Sequence, residues 1–331
     1  MLYLVYWVGK RCREVVFGAL FFLVSILPVS QIIPVGSAVL AERYTYLAYI
    51  GLFFLIGVAW RQWMHSKWMH IYPYRILVTA LYSGWLLVMG WMTYDRAVVW
   101  QNGETLWSDV IEKYPNDYFA YGNRGNYRLS VGNRDGALAD FNQSLRLNPQ
   151  FFEGYNNRGM VYLHTRDYQR ARADFDKAIE INHQYVKAWL NRGVVSIMQG
   201  RYVNALADLD RTLQLAPEFS QALHTRGVLY RQMRQFDAAI RDLSEAIDLA
   251  PEQAVLYKDR GTAYYLSRHL GAAIEDFSRA IALRPDDGDA FYRRSVVYLD
   301  HNRTDDALRD ARRAQQLNFP VDEVYLKSLN Q

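Results

Sequence analysis

Hydrophobic and polar positions divide this chain in two. Up to about residue 94 the apolar residues come in unbroken runs, and beyond residue 117 they recur at helical spacing with a 34-residue period. Residues 15–29 (VVFGALFFLVSILPV) continue more weakly through Ile32, Ile33 and Val35. Residues 44–60 are 17 positions without a charge, and residues 76–93 are 18. A hydrocarbon core of ~30 Å needs about 17–25 helical residues. The runs therefore predict three membrane spans, at about 15–33, 44–60 and 76–93, the first with an irregular end between Pro28 and Pro34. Trp60, Trp63, Trp68, Tyr72 and Tyr74 gather between the second and third runs, where an interfacial aromatic belt belongs. Residues 1–8 (MLYLVYWV) lack the order of a cleavable signal, because their charges follow the apolar stretch. They read as the tail of an earlier span, so the chain is expected to be the C-terminal part of something longer.

Charge then orients the membrane part. Lys10, Arg11 and Arg13 precede the first run, and Arg61, Lys67 and Arg75 separate the second from the third. The intervening loop carries only Arg43 beside Glu42. Positive residues mark the cytoplasmic side. The N-terminus and the 61–75 loop are thus expected in the cytoplasm of a bacterial inner membrane or its equivalent. The 31–43 loop, and everything beyond residue 93, is expected outside it.

The second half aligns with itself six times without a gap. Gly125, Gly159, Gly193, Gly227 and Gly261 fall in register, with Ser295 in the sixth copy. Ala137, Ala171, Ala205, Ala239, Ala273 and Ala307 form a second column. Pro149, Pro217, Pro251 and Pro285 close four units, with His183 and Phe319 at that place in the others. Small residues suit a close crossing of two helices, and proline ends the second helix of each pair. Tyr162, Tyr230, Tyr264 and Tyr298, with Phe141, Phe175 and Phe277, fill the space between. Each pair leaves an apolar face that only a neighbour can bury, so the units must stack. Residues 103–114 repeat the second-helix pattern one period early, with Trp107 and Pro115 in the Phe141 and Pro149 columns. They predict a half-repeat cap within a 95–117 linker, and residues 322–331 predict a cap at the far end.

Composition removes several functional classes. Residues 1–117 hold 9 Lys/Arg against 7 Asp/Glu, and residues 118–331 hold 29 against 27. Interleaved signs at near balance argue against a nucleic-acid partner. The single cysteine, Cys12, rules out an internal disulfide or a cysteine-based zinc site. The seven histidines make no HExxH, and neither a phosphate-binding glycine loop nor a dinucleotide fingerprint occurs. Hence no catalytic residues, metal or cofactor are expected.

A 34-residue period with this glycine, alanine and proline pattern is the tetratricopeptide (TPR) signature. Residues 118–321 are identified as six members of that family, and the fold is expected to be all-α, three transmembrane helices followed by a TPR α-solenoid. Two further columns are unbroken: Arg124, Arg158, Arg192, Arg226, Arg260 and Arg294, and Asp140, Asp174, Asp208, Asp242, Asp276 and Asp310. The arginines could form an anion-binding rail, but equal numbers in lockstep favour Arg–Asp pairing within or between repeats. Asn123, Asn157 and Asn191 stand one residue earlier, at the place that in TPR superhelices faces the concave groove. They resemble the asparagine ladder of the O-GlcNAc glycosyltransferases, which implies a grip on peptide backbone, since an amide both donates and accepts. Plain solvated groove residues are the alternative. The column continues with Thr225, Asp259 and Arg293, beside His224, Lys258 and Tyr292, which suggests a more polar partner there. The carboxylate clamp of chaperone-binding TPR domains is matched by Asn126, Asn157 and Lys187, but Gly122 and Asn191 stand where it needs lysine and arginine.

Residues 27–36 (LPVSQIIPVG) and 41–47 (AERYTYL) resemble the end of the membrane region in transmembrane-and-TPR O-mannosyltransferases and their bacterial relatives of the GT-C class. That resemblance implies a polyprenyl-phosphate sugar donor in the full-length protein and an extracytoplasmic TPR domain. The catalytic loop of such enzymes is absent from this chain. Arg43 is a candidate contact for a lipid phosphate, the alternative being a local pair with Glu42. The expected function is a membrane-anchored TPR protein that holds extended polypeptide or a partner protein in its groove, as the non-catalytic part of a glycosyltransferase. The alternative is a stand-alone membrane-bound scaffold for an envelope complex.

Overall fold

The computed structural model describes residue 54, residues 56–62, residue 65 and residues 72–329. Among them there is no strand. The chain divides into two compact units, Met1–Pro115 and Asn116–Gln331. In the first unit α1 spans Tyr72–Val99 and α2 spans Gly103–Lys113. The second contains α3 (Tyr118–Ser130), α4 (Arg134–Leu147), α5 (Phe152–His164), α6 (Tyr168–Ile181), α7 (Val186–Met198) and α8 (Tyr202–Leu215). It continues with α9 (Ser220–Gln232), α10 (Phe236–Leu249), α11 (Ala254–Leu266), α12 (Leu270–Leu283), α13 (Gly288–Asp300), α14 (Thr304–Gln316) and α15 (Glu323–Ser328).

Of the three expected spans, only the third coincides with a long described helix. α1 is the one helix among the described residues long and apolar enough to cross a membrane, and none of its apolar window is buried in protein. Its 28 residues reach about 42 Å at 1.5 Å per residue. Leu87 and Trp91 are 75% and 67% exposed. Residues 56–62 are also helical, and Trp60 stacks on Tyr82 of α1 at 4.4 Å. The expected span at 15–33, most of that at 44–60, and Arg43 lie outside the described residues.

The 34-residue period is carried through without a break. First helices start at residues 118, 152, 186, 220, 254 and 288; each packs against the second helix of its own pair, and from the second pair onward also against the second helix of the pair before. Successive first helices also touch one another, a contact not repeated along the second helices. The first helices therefore line the inner wall of the solenoid.

Packing at the crossings accounts for the small-residue columns. All six alanines from Ala137 to Ala307 are fully buried. A Cβ at Gly125 would come within 2.8 Å of the Phe141 ring, and one at Gly159 within 2.7 Å of Phe175. No real Cβ sits so close, so bulk on one helix demands its absence on the other. The sixth pair reverses the arrangement: the facing position is Ala311, and Ser295 takes the glycine place while remaining fully buried. The sixth pair is followed by α15, a short helix at the place of a further first helix. Tyr325 of α15 occupies the column of Tyr121, Tyr155 and Trp189, lies 3.1 Å from the Ser295 hydroxyl, and joins Leu329, Tyr298, Ala307 and Ala311 in one apolar cluster.

A further column escaped the sequence reading. The turns joining first to second helices each contain a residue in the left-handed region: Gly132, Arg166, Gly200, Arg234, Arg268 and Asn302. Glycine at two of these places and asparagine at a third fit that backbone at little steric cost. The three arginines hid the pattern.

Candidate functional site

The arginine column resolves first, because it decides which charges remain for a ligand. Each of the six arginines makes a two-pronged bond to the aspartate sixteen residues on, as in Arg158 Nε and Nη2 to Asp174 at 2.8 and 2.7 Å. Arg124, Arg192, Arg226, Arg260 and Arg294 repeat it with Asp140, Asp208, Asp242, Asp276 and Asp310. From the second repeat onward the remaining arm reaches back to the preceding second helix, at Asn142, Asp176, Asp210, Ser244 and Ser278. One guanidinium thus ties three helices from two repeats. The aspartates are nearly buried, so each needs its partner. The Asp174 bonds raise the Arg158 guanidinium above its ordinary value and keep it charged. These arginines staple the solenoid together.

The inner wall itself changes character along its length. In the first repeats a groove of about 280 Å³ is lined by Phe119, Asn123, Asn126, Asn157, Tyr185 and Lys187, with Glu153 on its rim. Three of the expected groove asparagines are brought together here with Lys187, while Gly122 leaves the clamp without its first lysine. Asn123 donates to the Phe119 carbonyl at 2.9 Å. Asn157 and Asn191 are joined through a residue that the sequence reading passed over, Asn156. Its Nδ2 donates to Asn157 Oδ1 at 3.1 Å, and its Oδ1 accepts from Asn191 Nδ2 at 2.9 Å. Asn156 is only 4% exposed, and no residue type recurs in its column, which reads Gly122, Asn156, Leu190, His224, Lys258 and Tyr292. The relay consumes one hydrogen-bonding end of Asn157 and the opposite end of Asn191. Reversing all three amides preserves that outcome, so the pair is left with one N–H end and one carbonyl end.

The later repeats answer their own charges. His224 Nε2 lies 2.7 Å from Asp259 Oδ2, and Arg231 donates to the other oxygen at 3.2 Å. Lys258 bonds Asp287 and Asp289 at 2.9 and 3.0 Å, and Arg293 donates to Asp289 at 2.8 Å. His224 and Lys258 therefore join neighbouring first helices of the protein itself, whereas the Arg293–Asp289 pair lies within α13. Burial pushes the Asp287 carboxyl up, yet the Lys258 bond and the Ala290 N–H outweigh it and hold the group below the ordinary carboxylate value of 3.8. Tyr292 packs on Phe319 and Tyr325 at centroid distances of 5.3 and 5.7 Å. Among the described residues no cluster of three His, Cys, Asp or Glu is arranged to hold a metal.

Comparison with known proteins agrees with the repeat pattern. Two family models, each described as tetratricopeptide repeat, match residues 123–185 and 258–318, and residues 220–253. No curated protein matches. Among solved structures, the Cut9–Hcn1 hetero-tetramer of the APC/C is similar at 18% identity, with a TM-score of 0.60 over 68% of this chain and 45% of that one. This chain thus spans less than half of that relative. Pseudomonas aeruginosa pilF shares 18% identity over 65% and 96% of the two chains, with a TM-score of 0.57. A tetratricopeptide repeat protein from Parabacteroides merdae shares 19% over 74% and 95%, with a TM-score of 0.53. At these identities the likeness is one of fold.

Proposed function

Because its solenoid is built of tetratricopeptide repeats, we propose that this chain is a membrane-anchored binding protein that holds an extended polypeptide along its inner wall. One observation carries the reading. The Asn156 relay leaves Asn157 and Asn191 with a donor and an acceptor side by side, the complement of a peptide unit, which offers one of each. Such contacts grip a main chain without selecting its side chains. The anchor is α1, none of whose apolar window is buried, and the lysine and arginine distribution favours an extracytoplasmic side for the repeats. α2 forms where a half-repeat cap is expected, and that role is part of the proposal. The further link to glycosyltransferases and a polyprenyl-phosphate sugar rests on residues 15–60 of the sequence alone.

A permanently unfolded probe, reduced and carboxymethylated lactalbumin, tests the reading with the whole chain reconstituted in lipid nanodiscs. Changing Asn123, Asn157 and Asn191 together to Ala removes about three hydrogen bonds at ~1 kcal/mol each. Binding is expected to weaken roughly 30- to 150-fold with the helical circular dichroism unchanged. Undiminished binding rejects the amide grip and favours the scaffold alternative, in which a folded partner docks on the self-paired surface of the later repeats.

A further inference from the structure

The inner wall holds a second feature at its far end, and what we infer from it rests on the polypeptide-binding reading above. We propose that the cavity between α11 and α13 is an anchor site for one bulky apolar side chain, aromatic or large aliphatic, of the bound polypeptide. The cavity measures about 460 Å³, and Tyr265, Leu266, Tyr292, Val296 and Phe319 form most of its lining. That volume is in the range of sites that enclose an organic group, and such sites are mostly apolar. Thr262 and Val296 occupy the column of Asn126, so the pocket opens on the same wall as the amides. Along that column the residues change from Asn126 to Met160, Val194, Val228, Thr262 and Val296. The wall thus turns from a surface suited to main chain into one suited to a side chain.

The polar atoms around the pocket specify its occupant. Thr262 Oγ1 donates to the Lys258 carbonyl at 2.8 Å, and the Tyr265 hydroxyl donates to Asp300 at 3.1 Å. Arg293 and Lys258 both bond Asp289. With most of those groups answered from within, a charged or hydrogen-bonding occupant would recover little of its lost hydration. An apolar side chain loses nothing. The walls are also set in advance. Phe319 replaces the proline of four other repeats and packs at a tilt on Tyr292, which Tyr325 meets edge to face. A pocket preformed in this way orders little on binding, which favours affinity.

Random dodecapeptides displayed on phage, selected against the whole chain in nanodiscs, supply the test. Selected peptides are expected to share one Trp, Phe or Leu, whose replacement by Ala weakens binding about ten- to hundredfold, as burial of one large apolar side chain implies. Two variants address the pocket: Leu266→Asp charges its mouth at a position 46% exposed, and Val296→Trp fills it. Both are expected to abolish the difference between a parent peptide and its Ala version while melting like the wild type. Asn157→Ala should weaken parent and Ala peptides by the same factor. Peptides without a shared apolar residue, or an anchor effect that survives Leu266→Asp, overturn the proposal. A change in protein mass per nanodisc with Leu266→Asp also overturns it, by showing a second copy as the occupant. An anchor effect that persists when Asn157→Ala changes nothing leaves the pocket standing and removes the amide grip alone.

Discussion

Arg192 shows how much one residue does in this fold. Its guanidinium bonds Asp208 on its own second helix and Asp176 on the one before, and its side chain lies over the Trp189 ring at 4.7 Å. Asp208 is 5% exposed and has little water to turn to. Arg192→Leu is expected to cost about 3–5 kcal/mol, because it strands a buried carboxylate. Adding Asp208→Leu should recover most of that loss. Urea titrations of the single and double variants check it, and equal destabilisation by both would show that the pair is not the cause. Glycine and aromatic residues are matched by the same logic of mutual demand. Where Phe141 and Phe175 project, Gly125 and Gly159 yield, and where Ala311 is small, Ser295 is allowed.

At the scale of elements, the links between neighbouring first helices differ along the array. α5 and α7 are joined by the neutral Asn156–Asn191 amide bond, whereas α11 and the N-terminal end of α13 are joined by Lys258 with Asp287 and Asp289. Only the second kind responds to acid. Asp287 sits below its ordinary value in the folded chain, so its contribution is present above the unfolded carboxylate pKa and is lost as pH falls through the folded one. Lys258 is raised above its ordinary value, so its share is present below the unfolded lysine pKa and is lost only as pH rises through the folded one. The pair is therefore whole across neutral pH. Asp287→Asn is expected to lower the denaturation midpoint near neutrality and to match the wild type once pH drops below the carboxylate range. An effect that stays constant into acid would assign the loss to the N-cap bond of Asp287 to Ala290 instead.

For the whole molecule, stability is distributed along the stack, and the proposed anchoring by α1 would set its position. Each repeat meets chiefly its neighbours, and α15 packs against the sixth. A phosphatase active only outside the cytoplasm, fused after Gln331, is expected to be active. Activity confined to a fusion within residues 61–75 would invert the topology.

The repeat architecture was legible in the primary structure, because a 34-residue period in Gly, Ala and Pro reflects local demands that each copy must satisfy alone. Helix crossings need small residues, helix ends need stops, and alignment of the copies reveals both. The Arg–Asp columns could be paired on paper for the same reason. The left-handed turns were less legible, since arginine fills three of the six places and conceals the constraint. What only the tertiary structure decided is how one copy meets the next. Asn156 acts through residues one and thirty-five positions away, and Lys258 is neutralised by carboxylates at the start of α13 whose spacing no repeat column announces. Pocket walls made by Tyr265, Tyr292 and Phe319 exist only once two repeats and the chain end are stacked. A repeating pattern records what each unit needs in order to fold, whereas a binding surface arises where units differ, and those differences acquire meaning only from their neighbours in space.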